Sequence, residues 1–329
     1  MPKIVRFYET GDAGVLKLED APLVEPGAGE IRLKVAAIGL NRAEVMFRQG
    51  QYLETPKLPS RIGYEAAGIV DAVGPGVSGI KVGDRVSTIP SFSVGDYGVY
   101  GESAIVPAYA AVPYPGVLTP VEGAAIWMQY LTAFGALVEF GRLQKGDSVV
   151  ITAASSSVGL AAIQVAKYVG ATAIAATRGA GKKDFLLGAG AHHVIVTDEE
   201  DLVARVMAIT AGKGATMVFD PVAGPLLEKL ADAAAQGATI FEYGALSPAP
   251  TPFPLFAALG KGLAVRGYTL FEIVREPEML ARGKEFVSRG LESGALKPVI
   301  DRTFPLENIV EAHRYMESNL QQGKIVVTV

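Results

Sequence analysis

The stretch that decides the fold is ITAASSSVGLAAIQVAKYVGA, residues 151–171. It opens as the end of a buried strand, turns through five small residues, and continues with the apolar spacing of a helix over Val158–Val169. The turn reads Ala154-x-Ser156-x-x-Gly159, a G-x-G-x-x-G pattern in which only the last glycine is kept. Side chains as small as those of Ala153, Ala154, Ser155, Ser156 and Ser157 let backbone N–H groups approach a pyrophosphate. Gly159 lets the helix close on the strand, and the helix start at Ser157 and Val158 offers N–H groups and a positive dipole end to an anion. A serine-capped helix without a ligand would use similar residues, so the surroundings decide.

Outward from this turn, strands and helices alternate. SVVITA, TAIAAT, HHVIVT, TMVFD, ATIFEYG and LAVRGYT read as six strands. Helices are expected between them near Lys182–Leu187, Glu199–Ile209 and Gly224–Ala235. That alternation predicts a doubly wound parallel sheet with the 151–171 turn as its first strand-to-helix crossover. The second strand selects the cofactor. An NAD site places an acid at its end, about 20 residues after the glycines, to bind the ribose 2′-hydroxyl. This chain has Thr177-Arg178 there, followed by Lys182 and Lys183, and no acid. Cations in that place suit the dianionic 2′-phosphate of NADPH. Asp220 and Val222 lie at the end of the TMVFD strand, where ligands bind in open α/β sheets.

The first ~120 residues have a different texture. IRLKVAAIGL, AAGIVDAVG, DRVSTIP and SAIVPA are short β-rich runs punctuated by Gly and Pro turns. VEGAAIWMQYLTAFGALVEF then reads as a helix, and the last ~60 residues hold two helical segments and the strand KIVVTV. The expected architecture is α/β: a β-rich domain over residues 1–122, completed by 268–329, and a Rossmann domain over 123–267.

Composition removes several function classes. The 329 residues are 50% hydrophobic and 19% charged, with a formal net charge of −4. No basic block tracks a nucleic-acid backbone, and no apolar run reaches the ~18 residues of a membrane span. The N-terminus enters strand-like alternation without a signal-peptide core, so the cytoplasm is expected. There is no cysteine, and the three histidines, His192, His193 and His313, are scattered. That leaves little for a zinc site, and structural roles are expected for all three histidines.

Taken together, GLNRAEVMFRQGQY (39–52), GYEAAGIVDAVGPGVSGIKVGDRV (63–86), AASSSVGLAAIQVAK (153–167), GAGAHHVI (188–195), MVFDPVAG (217–224) and the closing QQGKIVVTV resemble the medium-chain dehydrogenase/reductase superfamily, in its zinc-independent NADPH:quinone oxidoreductase branch. The resemblance spans nearly the whole chain. It implies a GroES-like catalytic domain, a Rossmann domain, an active site in the cleft between them, and a homodimer. It also marks site residues. Asn41 matches an amide near nicotinamide and acceptor, and Tyr52 a phenol lining the acceptor pocket. Thr132, Tyr243, Gly244, Gly323 and Lys324 match positions along the cofactor. Zinc-dependent relatives carry Cys and His where this chain has Leu40-Asn41-Arg42, and His-Glu where it has Tyr64-Glu65, so no zinc is expected. Relatives often have a second Tyr at the Met46 position. Without a metal to stabilise an alkoxide, reduction of an electron-poor acceptor, a quinone or α,β-unsaturated carbonyl, is the expected chemistry. Alternatives on the same scaffold are an enone or enoyl-thioester reductase and an alcohol dehydrogenase-like enzyme; from another class, a non-catalytic NADPH-binding module.

Overall fold

A computed structural model describes residues 1–329. The chain divides into two compact units, Met1–Met128 with Pro298–Val329, and Gln129–Lys297. The expected return point at 268 therefore lies 30 residues further on. The reason is the Pro277–Glu292 helix, whose Phe286 packs against Phe134 (ring centroids 5.2 Å) and Tyr168 (5.1 Å) of the second unit. Its Gly283 faces Leu131 and Phe134 so closely that a Cβ would stand 2.7 Å from Leu131.

The first unit is organised by one long strand, Glu30–Gly39, which is apolar on most of its length and buried. It pairs antiparallel with Glu65–Val73, with Ser103–Pro107 and with the C-terminal strand Lys324–Thr328. Register shifts at Arg32/Leu33 and Val35/Ala37 bend it enough to serve three partners. Where it ends, Gly39 is obligatory for space: a Cβ would lie 1.9 Å from the Ala124 carbonyl oxygen. The next residues form the Arg42–Arg48 helix, an element hidden within the expected all-β run. Asn41 is its N-cap, and Glu44 three residues later closes a capping box.

The second unit carries six strands, all parallel, in the order His193–Val196, Thr172–Thr177, Ser148–Ile151, Ala215–Asp220, Ala234–Glu242, Ala264–Gly267. Numbered along the unit this is 3-2-1-4-5-6, the doubly wound order expected from the alternation. Strand order reverses between Ser148–Ile151 and Ala215–Asp220, which places a ligand crevice at their carboxyl ends. The alternating residues Val150, Ile174, Val218 and Ile240 bury one face against Leu202, Val206, Leu227 and Leu230. The segment expected as one helix over 121–140 is interrupted. Pro120–Gly123 and Trp127–Ala133 are helical, and Phe134–Phe140 winds wider, as a π-helix. The break is stabilised from outside the segment: Glu65 accepts a hydrogen bond from the Met128 N–H at 2.8 Å. No helix is long and apolar enough to cross a membrane.

Candidate functional site

In the second unit the turn after Ser148–Ile151 is shaped for an anion. Ala153 adopts φ +43°, a left-handed conformation that turns the chain sharply. Ser156 caps the Ser157–Val169 helix, accepting from the Gly159 N–H at 3.0 Å. The N–H groups of Ser157 and Val158 precede the first intrahelical bond and remain for a ligand. Gly159 is required here, because a Cβ would lie 2.6 Å from the Ala154 carbonyl oxygen. Lys182 reaches back from the second crossover and donates to Ser155 Oγ at 3.0 Å. One cation of the expected 2′-phosphate patch is thus held against the phosphate turn. Arg178 is exposed beside it, and the Thr177 carbonyl is tied to Thr197. This cradle of small residues, open helix-start N–H groups and two cations fits a phosphorylated dinucleotide.

The carboxyl ends of the next strands complete that crevice. The Asp220 carboxylate is fully buried at the reversal point. It accepts from the Thr152 hydroxyl and from the N–H groups of Val222 (3.1 Å) and Ala223 (2.7 Å). The Tyr243 ring stacks on Phe219 with centroids 3.9 Å apart. The turns after the two strands are laced together by Tyr243 N–H to Asp220 O and Leu246 N–H to Pro221 O. Val222, Tyr243 and Gly244 therefore lie together. Thr132 sits apart from them in sequence, buried on the Trp127–Ala133 helix.

Sequence reading missed Glu242, which stands in register beside Asp220 on the adjacent strand. Burial and the Asp220 charge push its carboxyl up to about 9. The neutral acid is thus carried by the folded chain over a pH range where the unfolded chain is ionised. The folded state binds more protons from the ordinary carboxylate range up to about 9, so stability falls as pH rises through that window. Glu242→Gln keeps the shape and removes the titration. Its thermal unfolding should depend less on pH, with a gain over wild type at about pH 8 that shrinks towards about pH 5. Curves for the two proteins that run parallel would refute this.

The first unit gathers a polar cluster under Asn41. The Lys324 ammonium, 1% exposed as a residue, donates to Glu65 Oε2 at 2.5 Å and Asn41 Oδ1 at 2.6 Å. Asn41 Nδ2 in turn donates to the Gly39 carbonyl (3.1 Å) and Glu65 Oε2 (3.2 Å). Glu44, fully buried, accepts from the Asn41 N–H (2.6 Å), the Tyr64 N–H (2.9 Å) and the Tyr100 hydroxyl (2.7 Å), and burial raises its carboxyl above the usual range. His313 Nε2 lies 3.3 Å from the same Tyr100 hydroxyl, and burial lowers its imidazole to about 3, so it is neutral. His192 Nδ1 accepts from the Ala173 N–H at 3.1 Å. Both serve the fold.

The geometry gives two of the expected residues partners within the first unit. Asn41, matched by resemblance to an amide near nicotinamide and acceptor, directs its amide hydrogens at Gly39 and Glu65. Lys324 was expected along the cofactor, but its ammonium is spent on Glu65 and Asn41. Gly323 serves the backbone: it sits at φ +129°, and a Cβ would stand 2.6 Å from the Val299 carbonyl oxygen. Tyr52 remains half-buried, and burial pushes its hydroxyl up to about 12. The Asn41-x-x-Glu44 capping box was readable in sequence; the partnership of Glu65 with Lys324, 259 residues apart, was not.

Two family models match the chain: an alcohol dehydrogenase GroES-like domain over residues 27–116 and a zinc-binding dehydrogenase domain over 157–285. Among curated relatives, the rat synaptic vesicle membrane protein VAT-1 homolog is 32% identical over 95% of this chain and 80% of its own length. Rat quinone oxidoreductase is 30% identical over 99% of this chain and 97% of its own. Among solved structures, Escherichia coli quinone oxidoreductase complexed with NADPH superposes with a TM-score of 0.91 at 30% identity, covering 99% of this chain and all of that one. An NAD-dependent alcohol dehydrogenase does so with a TM-score of 0.91 at 32% identity, over 99% of each chain. The CurK enoyl reductase gives 0.89 at 26%, again over 99% of each. The zinc of the second family description finds no matching donor set here. No group of three metal-ligating side chains exists, and an ammonium stands 2.5 Å from the Glu65 oxygen.

Proposed function

This chain belongs to the medium-chain dehydrogenase/reductase superfamily, in its quinone oxidoreductase branch, and from that premise we propose that it reduces quinones or related conjugated carbonyls with NADPH. The observation that carries the reading is the donor set of the first unit. Where zinc chemistry would need Cys and His ligands, it holds a phenol, Tyr64, and a carboxylate, Glu65, neutralised by Lys324; the candidate proton donor, Tyr52, stays protonated up to about 12.

Bound NADPH would supply a hydride, two electrons with one proton. Ser157 and Val158 would hold its pyrophosphate by backbone N–H groups, and Arg178 and Lys182 its 2′-phosphate. Tyr52 would give its hydroxyl proton to the anion left on the reduced acceptor and recover one from water. Asn41, with its amide committed inward, acts as a positioning residue for Lys324 and Glu65. Most of the rate then comes from proximity and orientation.

NADPH oxidation measured against a panel of quinones and enones tests this. Turnover with members of the panel is expected, and silence of the whole panel despite NADPH binding would favour a non-catalytic binding module. Product identity separates hydroquinone from saturated carbonyl. The second outcome, an enone or enoyl-thioester reductase, is favoured by the half-buried Met46 on the Arg42–Arg48 helix and by the likeness to CurK enoyl reductase. A homodimer is part of the proposal. Ala264–Gly267 is an outer strand of the parallel sheet, and Phe253, Leu255, Phe256 and Leu259 just before it are all more than half exposed. The mass in solution should be that of two chains.

A further inference from the structure

We propose that Gln164 is a positioning residue for the nicotinamide half of NADPH. Its amide ties the Trp127–Ala133 helix, which carries Thr132, to the Ser157–Val169 helix, which begins at the phosphate turn. The inference rests on the NADPH reading above and adds a residue to it.

Gln164 stands about two turns along the helix from Ser157, on the same face. Its Oε1 accepts from the Lys297 N–H at 2.9 Å and from the Tyr130 hydroxyl at 2.8 Å, and its Nε2 donates to the Lys297 carbonyl at 3.0 Å. Tyr130, Gln164 and Lys297 all belong to the second unit. The Lys297 backbone presents one donor and one acceptor, so a single orientation of the amide satisfies both. That orientation turns an oxygen to Tyr130, whose O–H therefore donates. Tyr130 is 1% exposed, so its hydroxyl depends on this protein partner.

Thr132 follows Tyr130 by two residues, and its place is set from outside its own helix. The Leu131 carbonyl accepts from the Tyr268 hydroxyl at 3.4 Å. Gly135 makes room for that hydroxyl, since a Cβ there would lie 2.1 Å from it. The wider winding of Phe134–Phe140 starts just after Thr132, so regular helix ends there. Gln164 at Tyr130 and Tyr268 at Leu131 are thus the two side-chain anchors of this stretch. Gln164 is the one that stands on the phosphate helix. Loss of its bond to Tyr130 frees the Thr132 stretch but leaves the phosphate turn intact, because Ser156 still caps the helix and Lys182 still meets Ser155.

The test titrates two ligands, NADPH and adenosine 2′,5′-bisphosphate, which keeps the 2′-phosphate and a 5′-phosphate but lacks the nicotinamide half. Gln164→Leu should raise the Kd of NADPH about tenfold, the scale of one lost hydrogen bond, and that of the bisphosphate by less than about twofold. Tyr130→Phe keeps the ring and drops only the hydroxyl, so it should reproduce most of the NADPH loss. Adding it to Gln164→Leu should cost nothing more, because the two substitutions break the same link. Equal losses of both ligands in Gln164→Leu would mean that the phosphate helix itself is loosened, and losses that add in the double variant would mean that the two residues act apart. Either result overturns the proposal, as does NADPH binding unchanged in both single variants. A wild type that binds neither ligand removes the NADPH reading and this inference with it.

Discussion

Replacing Lys324 with Met should cost about 3 kcal/mol of stability and lower the first thermal transition by roughly 6–12 °C. The ammonium is enclosed and contacts Glu65 Oε2 and Asn41 Oδ1. Removing it leaves the Glu65 carboxylate buried, with only the Met128 N–H and Asn41 Nδ2 to compensate its charge. Breaking one half of such a pair costs more than the pair contributes, because the remaining ion keeps its desolvation penalty. The stem of Lys324 also passes Gly39, where a Cβ would stand 2.8 Å from its Cε, so the site was shaped around this side chain. Adding Glu65→Gln to Lys324→Met should recover at least half of the loss, since no uncompensated charge remains. Guanidinium unfolding of the three variants decides it. A loss below about 1 kcal/mol for Lys324→Met would mean water reaches Glu65 and the cluster is not a dry ion pair.

This cluster marks where sequence reading stops. Most local structure was legible, although the short Arg42–Arg48 helix with its Asn41–Glu44 capping box was not read. The 151–171 turn gave a strand, a small-residue bend and a helix capped by Ser156, and the structure builds it so. All six strands of the second unit were visible because each is a short apolar run bounded by turn residues. What escaped were features set by partners far along the chain. The break before Trp127 is held by Glu65, which has no signature in the helical spacing around it. The Pro277–Glu292 helix joined the second unit through Phe286, a contact no period announces. At the site, Asn41 and Lys324 were picked out by family position, but their orientation follows from a meeting across nearly the whole chain. Glu242 was silent for a similar reason: only the register with Asp220 makes its carboxyl unusual.

The double substitution Arg178→Ala/Lys182→Ala should lower the affinity ratio of NADPH to NADH by about 10²-fold, through loss of NADPH binding with NADH nearly unchanged. Two charge-assisted hydrogen bonds to a dianionic phosphate account for that scale, at about 1.5–3 kcal/mol each before screening. The two cations do not contribute alike. Arg178 is exposed and its part should weaken with salt, so Arg178→Ala alone should lower the ratio about tenfold at low ionic strength. Lys182 is held at Ser155 Oγ, 3.0 Å away, so it is pre-placed at the phosphate turn and should matter at any salt concentration. The prediction has a real competitor in the NAD-dependent alcohol dehydrogenase that shares this fold at 32% identity. The physical difference lies at the end of the Thr172–Thr177 strand. A carboxylate there would bind a ribose 2′-hydroxyl and repel a 2′-phosphate, whereas this chain continues with Arg178. Titration of both nucleotides against wild type and the variants reads the answer directly. A wild-type ratio near one, unmoved by either substitution, would overturn the assignment of the patch.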